Sequence, residues 1–174
     1  MTKTRNEWLQ FPVISHGAEY LVLGYLMRRN ILAYKAPPNN DGYDIICIHP
    51  DASKSKRQIR IQVKSRLKNG VRGFPLKEEK LYAFDYLIFV RLNVGKIVKR
   101  ENARSFDGPS DVELYVIPAK IIRKNHDATT SWQKVVFSAE DFKHFDKYKG
   151  DRGIEQIAKD LRVASLSKAT DGAA

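Results

Sequence analysis

Apolar positions divide this chain into a series of short elements. The opening dozen residues are polar, with isolated apolar positions at Trp8, Leu9 and Phe11, and Pro12 punctuates them. A helix is predicted from about Val13 or Ser15 to Arg29, with Ser15 as N-cap and Asn30 as its C-terminal stop. Its middle, from Tyr20 to Met27, is apolar all round, which predicts a helix buried on most sides. A short strand follows at Ile31–Tyr34, then a turn-rich patch from Pro37 to Gly42, then a nearly continuous apolar strand from Tyr43 to Ile48. The third strand, Gln58 to Arg66, alternates cleanly. Ile59, Ile61 and Val63 share one face, and Arg60, Gln62, Lys64 and Arg66 the other.

The pattern then predicts a loop over 68–76, a short helix from Lys77 to Phe84, and strands at Tyr86–Leu92 and Val112–Ile117. Pro118 suits the first turn of a helix through Ile122. Ser138 with Asp141 reads as a capping box opening a helix to about Tyr148. A turn at Gly150–Gly153 precedes a last helix from Ile154 to about Val163. Short connections imply an antiparallel meander with helices packed on it, α/β in the broad sense. One domain over 1–164 is expected, with its core at about 13–124 and C-terminal helices at 138–163; the tail 165–174 is expected to be disordered. The last two helices loosely suggest a helix-turn-helix, but their charge-rich, glycine-containing arrangement favours packing on the sheet.

Charge changes this picture most. Thirty-one Lys and Arg against twenty Asp and Glu leave +11, the balance of a domain that binds a polyanion. No apolar run approaches the roughly 18 residues that span a bilayer. A soluble cytoplasmic protein without membrane partners is the expectation. The single cysteine, Cys47, lies in an apolar strand and reads as a small buried hydrophobe. His16, His49, His126 and His144 have no metal-ligand spacing and read as surface or capping residues. Tyr20, Tyr25, Phe84, Tyr86 and Phe89 read as core aromatics rather than a base-stacking platform.

Candidate chemistry gathers in the first half. Glu19 is an isolated carboxylate in the most apolar helix, where burial is costly without a partner or a cleft. Asp44 opens the second strand. Gln62 and Lys64 lie about 7 Å apart on one face of the third. Each has a bland reading: an exposed or Arg-paired helix glutamate, a strand-start aspartate, a solvated charged face. Together, an Asp beside Gln-x-Lys across two paired strands makes an oxygen-rich pocket that suits Mg²⁺, with the lysine close by.

Gly17-Ala18-Glu19, Leu26 to Pro37, Gly42-Tyr43-Asp44-Ile45-Ile46 and Ile61-Gln62-Val63-Lys64-Ser65-Arg66 resemble, in that order, the PD-(D/E)xK nuclease superfamily. The layout, over about residues 15–92, is most similar to archaeal Holliday-junction resolvases. The resemblance implies a restriction-endonuclease-like core, a helix followed by a mixed five-stranded sheet with flanking helices. It implies a DNA endonuclease using Mg²⁺ (or Mn²⁺), acting on branched or structured DNA as a homodimer. Asp44 would be the main metal carboxylate, Glu19 a second acidic group, and the Val63 carbonyl and Gln62 further ligands. Lys64 would orient or help deprotonate the attacking water. The family motif usually has Asp or Glu where this chain has Gln62, so the site loses one negative charge, which weakens metal affinity. Lys56, Arg57, Arg60, Arg66 and Lys68 flank the site and would contact phosphates without reading sequence. The competing classes are a non-catalytic nucleic-acid-binding or protein-interaction module on the same fold, and a sequence-specific restriction enzyme.

Overall fold

A computed structural model describes residues 11–38, 40–67, 73–94, 110–129 and 131–163. Helix α1 (Phe11–Arg28) leads into strands β1 (Leu32–Lys35), β2 (Ile45–Ile48) and β3 (Gln58–Arg66). After β4 (Gly73–Pro75) and a 3₁₀ turn at Glu78–Lys80 come β5 (Tyr86–Arg91), β6 (Glu113–Pro118) and α2 (Ala119–Lys124). Strands β7 (His126–Asp127) and β8 (Lys134–Val136), α3 (Ala139–Lys143), a 3₁₀ turn at Phe145–Tyr148 and α4 (Gly150–Leu161) follow. The main sheet runs β1-β2-β3-β5-β6, and a smaller one β4-β8-β7. The predicted disordered tail and Lys68 lie outside the described residues.

Mixed α/β architecture with a five-stranded sheet and flanking helices agrees with expectation, but the pairing is not a continuous meander. Strands β1, β2 and β3 are antiparallel neighbours, as are β5 and β6, while β3 and β5 run parallel. A parallel pair needs a crossover rather than a hairpin. The crossover here is the segment carrying β4 and the 3₁₀ turn, predicted as loop and helix. Strands as short as β4, β7 and β8 leave no period to read.

Two hydrophobic layers cover the sheet. On one face Ile61, Ile88 and Val116 meet Ala18, Val22 and Leu26 of α1 and Ile154, Ile157 and Leu161 of α4. On the other, Leu87, Phe89 and Ile117 meet Phe74, Val135 and Phe137 around the small sheet. The second layer packs on the sheet face that carries Gln62 and Lys64, so the bland reading of a solvated charged face does not hold for the whole of it. Helix α4 begins at Gly150, not Ile154. Its Gly153 is the point of closest approach to the sheet: a Cβ there would come within 2.2 Å of the Tyr148 carbonyl and 2.8 Å of Val116 Cβ.

Helix α1 departs from expectation at its start and on its surface. It starts at Phe11 with Pro12 in its first turn, so Ser15 is not its N-cap. Its end matches the reading: Asn30 takes a left-handed φ of 57°. The Ile31 and Asn30 amides donate to the Leu26 and Met27 carbonyls, and Leu26 and Ile31 are both buried, a complete Schellman cap. The helix buries only one side. Val13, Tyr20, Leu21 and Met27 are exposed, Tyr20 by 62%, which corrects its reading as a core aromatic. At the other end, Ser138 and Asp141 form the predicted capping box.

Sheet and C-terminal segment are tied through charge. Glu113 on β6 accepts from Lys149 Nζ and, at 3.4 Å, from Arg91 Nη1. Burial works against the Glu113 charge, but Lys149 and Arg91 outweigh it and hold its pKa below the ordinary 4.5. A carboxyl depressed in the folded state contributes stability above its unfolded pKa and loses it as pH falls through the folded one. Glu113→Gln is therefore expected to melt lower than wild type at neutral pH, with the gap closing as pH falls below the ordinary 4.5 and through the depressed folded-state value. Thermal melts across pH check this; a gap unchanged in acid would assign the effect to packing instead.

Candidate active site

The site follows from the unequal lengths of β2 and β3. Strand β2 pairs with Gln58–Ile61, whereas β5 pairs with Ile61–Arg66. The second half of β3 therefore overhangs β2, with a strand partner on one side. Backbone groups on the open side need other partners. Asp44, immediately before β2, supplies one: its Oδ2 accepts from the Val63 amide at 2.6 Å. Its own backbone amide donates to the Ile61 carbonyl at 2.8 Å, extending the ladder by one rung. The turn before it depends on Gly42, whose φ of +115° is closed to side chains and whose Cβ would meet Ala83 Cβ at 2.3 Å.

Gln62 is 6% exposed. Its Nε2 donates to Asp44 Oδ2 and, at 3.2 Å, to the Val63 carbonyl. One amide group thus bridges the carboxylate and carbonyl that the resemblance designates as ligands. Burial raises the Asp44 pKa above its ordinary 3.8, helped by the charge of Glu19 and opposed by the Val63 amide, Lys64 and Lys35. Burial likewise lowers the pKa of the half-buried Lys64; Asp44 opposes that shift, and Lys80 and Arg66 add to it. Two groups of opposite sign are each pushed toward neutrality, an arrangement common at sites that handle protons.

Glu19 lies within electrostatic reach of Asp44, but its carboxylate is engaged by Lys35, Nζ to Oε2 at 2.8 Å. Lys35 also lies over the Tyr20 ring, 4.9 Å from its centroid. Among the described residues no group of three or more His, Cys, Asp and Glu is placed to hold a metal ion. What Asp44, Gln62 and the Val63 carbonyl offer is a smaller set of hard oxygen donors, with the amide oxygen available on rotation of the Gln62 side-chain amide. Such a set suits Mg²⁺ or Mn²⁺ rather than a soft metal, and with modest affinity.

The basic residues separate into two groups. Arg66, two residues beyond Lys64 on the same face, stays with the site. Arg57 lies seven residues before Lys64, about 23 Å along the strand, and pairs with Asp160 of α4 at 3.5 Å. Lys56, exposed, precedes it. Arg60 is bound to Asp85, by its backbone amide at 2.8 Å and its Nε at 3.4 Å. Lys56 and Arg57 therefore stand away from the Asp44–Lys64 pocket, while Arg60, two residues before Gln62 on the same face, is held by Asp85. In their place stand Lys35 and Lys80, which sequence reading missed. Lys35 is marked by a charge following the buried Ala33 along β1. Lys80 pairs with Asp41 at 2.7 Å beside the Gly42 turn, a contact no sequence spacing signals. Of the histidines, His49 is buried rather than superficial, and its Nδ1 accepts from the Asp51 amide at 2.9 Å.

No family model and no curated protein matches this chain. Among solved structures it is similar to the bacterial homing endonuclease I-Ssp6803I, at 13% identity and a TM-score of 0.49, over 92% of this chain and 98% of that one.

Proposed function

We propose that this chain is a divalent-metal-dependent DNA endonuclease of the PD-(D/E)xK kind, with Asp44, Gln62, the Val63 carbonyl and Lys64 as its working groups and Glu19 as an outer carboxylate. The observation that carries the reading is the meeting of the Asp44 carboxylate, the Gln62 amide and the Val63 carbonyl at one point beside a half-buried lysine. The chemistry a cation supplies at such a point is acidification of water and offset of charge on a phosphate. Lys64 would orient the attacking water, and its lowered pKa makes the neutral, proton-accepting form available at a lower pH than in a solvated lysine. Lys35, Lys80 and Arg66 give the surroundings a positive field that attracts the phosphodiester backbone. Glu19 holds Lys35 in place, so its contribution is positioning as much as charge.

Branched or structured DNA is the substrate this reading favours, and the single buried thiol of Cys47 suits a reducing cytoplasm. No helix among the described residues is long and apolar enough to cross a membrane. The test is cleavage of linear, supercoiled and four-way-junction DNA with Mg²⁺ or Mn²⁺; no metal-dependent nicking of any of them would end the enzyme reading. One observation favours a second reading. The Gln62 amide closes a ring of hydrogen bonds that is complete with protein groups, as a non-catalytic nucleic-acid-binding module would need. Salt-sensitive binding without cleavage would select it.

A homodimer is part of the proposal. Val13, Gly17, Tyr20, Gly24 and Met27 recur at alternating steps of four and three along the exposed side of α1, the seam of a helix pair. The two glycines have nothing within 4 Å of an added Cβ, so another helix can approach closely. A two-fold contact of α1 with its own copy would cover this face. Met27→Glu is expected to turn a dimer into a monomer in light scattering; a monomeric wild type would refute the dimer.

A further inference from the structure

Beyond Arg66, the overhanging strand opens onto a cleft of about 360 Å³, lined by Arg66, Phe74, Pro75, Trp132, Lys134 and Val136. Its walls are mostly apolar and its rim carries two cations. Trp132 is 78% exposed. An indole so exposed is unusual for a residue whose neighbours are fixed. Gln133 accepts from the Leu76 amide through its backbone carbonyl at 3.1 Å, and from the Glu78 amide through its Oε1 at 2.6 Å. Its other neighbouring element, β8, is paired on both sides, with β4 and β7. The backbone around Trp132 is thus held while most of the side chain is accessible.

We propose that this cleft binds an unpaired nucleotide of the DNA, its base stacked on Trp132 and its phosphate met by Arg66 and Lys134. This deepens, and rests on, the nuclease reading above. A nucleotide combines a flat π-face with an anion, the combination that an aromatic wall and cationic rim recognise together. A wholly apolar partner would leave Arg66 and Lys134 desolvated and unpaired. An acidic peptide would satisfy the cations but leave the indole without a flat group to stack on. Arg66 also ties the cleft to the candidate active site, since it follows Lys64 on the same face of β3 by about 7 Å. A strand with one base turned into the cleft would therefore pass its adjoining phosphates toward Lys64. Selection of unpaired over fully paired DNA would follow from this pocket rather than from base-edge hydrogen bonds.

The chain has two tryptophans, Trp8 and Trp132, so Trp8→Phe leaves Trp132 as the only indole emitter. In EDTA, this variant is titrated with a single strand of about 15 nucleotides, with the matching duplex, and with poly-glutamate. Saturable quenching by the single strand is expected, with little from the duplex. Trp132→Ala is expected to lower single-strand affinity, measured by anisotropy of labelled DNA, about tenfold, so that preference over duplex collapses. Trp132→Phe should retain most of that preference, and Tyr82→Ala, which removes an equally exposed ring elsewhere, should leave it unchanged. Unaltered preference in Trp132→Ala, or equal quenching by duplex or poly-glutamate, overturns the pocket while leaving the cleavage assay to judge the nuclease reading. Absence of binding to either DNA overturns the pocket as well, and the nuclease reading stands or falls on the metal-dependent cleavage assay.

Discussion

Lys64→Ala is expected to lower metal-dependent DNA cleavage by about 10²- to 10⁴-fold, the usual range for losing a positioned proton-handling group. Lys64→Arg should not rescue it, because a guanidinium does not release its proton in this pH range. Asp44→Asn is expected to be at least as damaging, and its effect on stability separates chemistry from folding. The Asp44 pKa is raised from 3.8, chiefly by burial. A carboxyl raised in the folded state destabilises once ionised, and stability falls as pH climbs from the unfolded value through the folded one. An asparagine has no such charge, and its side-chain oxygen still accepts from the Val63 amide. Cleavage lost with an unchanged or higher melting temperature at neutral pH is the expected pair of results. Cleavage that survives Asp44→Asn or Lys64→Ala would place the active site elsewhere.

Gln62→Glu should act in opposite directions with and without metal. Without it, a second carboxylate stands against Asp44 and the bridging amide is lost, so the chain should be less stable by about 1–3 kcal/mol. With Mg²⁺ present the added oxygen charge becomes a better ligand. The Mg²⁺ concentration for half-maximal cleavage is expected to fall about tenfold or more, by analogy with the effect of altered metal-site partners. Melting in EDTA and in Mg²⁺ reads both arms, since a ligand bound to the folded state alone raises its stability. A variant weakened equally in both solutions, with no gain in metal response, would mean that the Gln62 amide serves the fold and not a cation.

Legibility in the sequence varied with the range of the interaction that settled each feature. Clean alternation in β3 put Gln62, Lys64 and Arg66 on one face, because a strand's period is local. The Asn30 and Ser138 stop and start signals were equally local. Asp44 and Gln62 are directly opposite once β2 and β3 are joined in register, so their meeting was accessible from two neighbouring segments. The parallel pairing of β3 and β5 was not, since it depends on a crossover whose elements are only three residues long. Nor was the fate of the basic run. Arg57 and Arg60 look identical to Arg66 in sequence, but their counter-charges, Asp160 and Asp85, come from distant elements. Helix α1 misled for a related reason: an apolar circumference does not say which side the fold will cover.

The overhang of β3 has a consequence for solubility as well as for chemistry. A strand paired on one side is a template onto which a strand of another molecule can add. Here that edge is guarded by the same groups that make the candidate site. Asp44 takes up the Val63 amide, the Gln62 amide takes up the Val63 carbonyl, and Lys64 and Arg66 put positive charge beside it. Residues that cap this backbone edge at the candidate site also deny it to another chain, so one set of groups would serve both the proposed chemistry and resistance to edge-to-edge pairing.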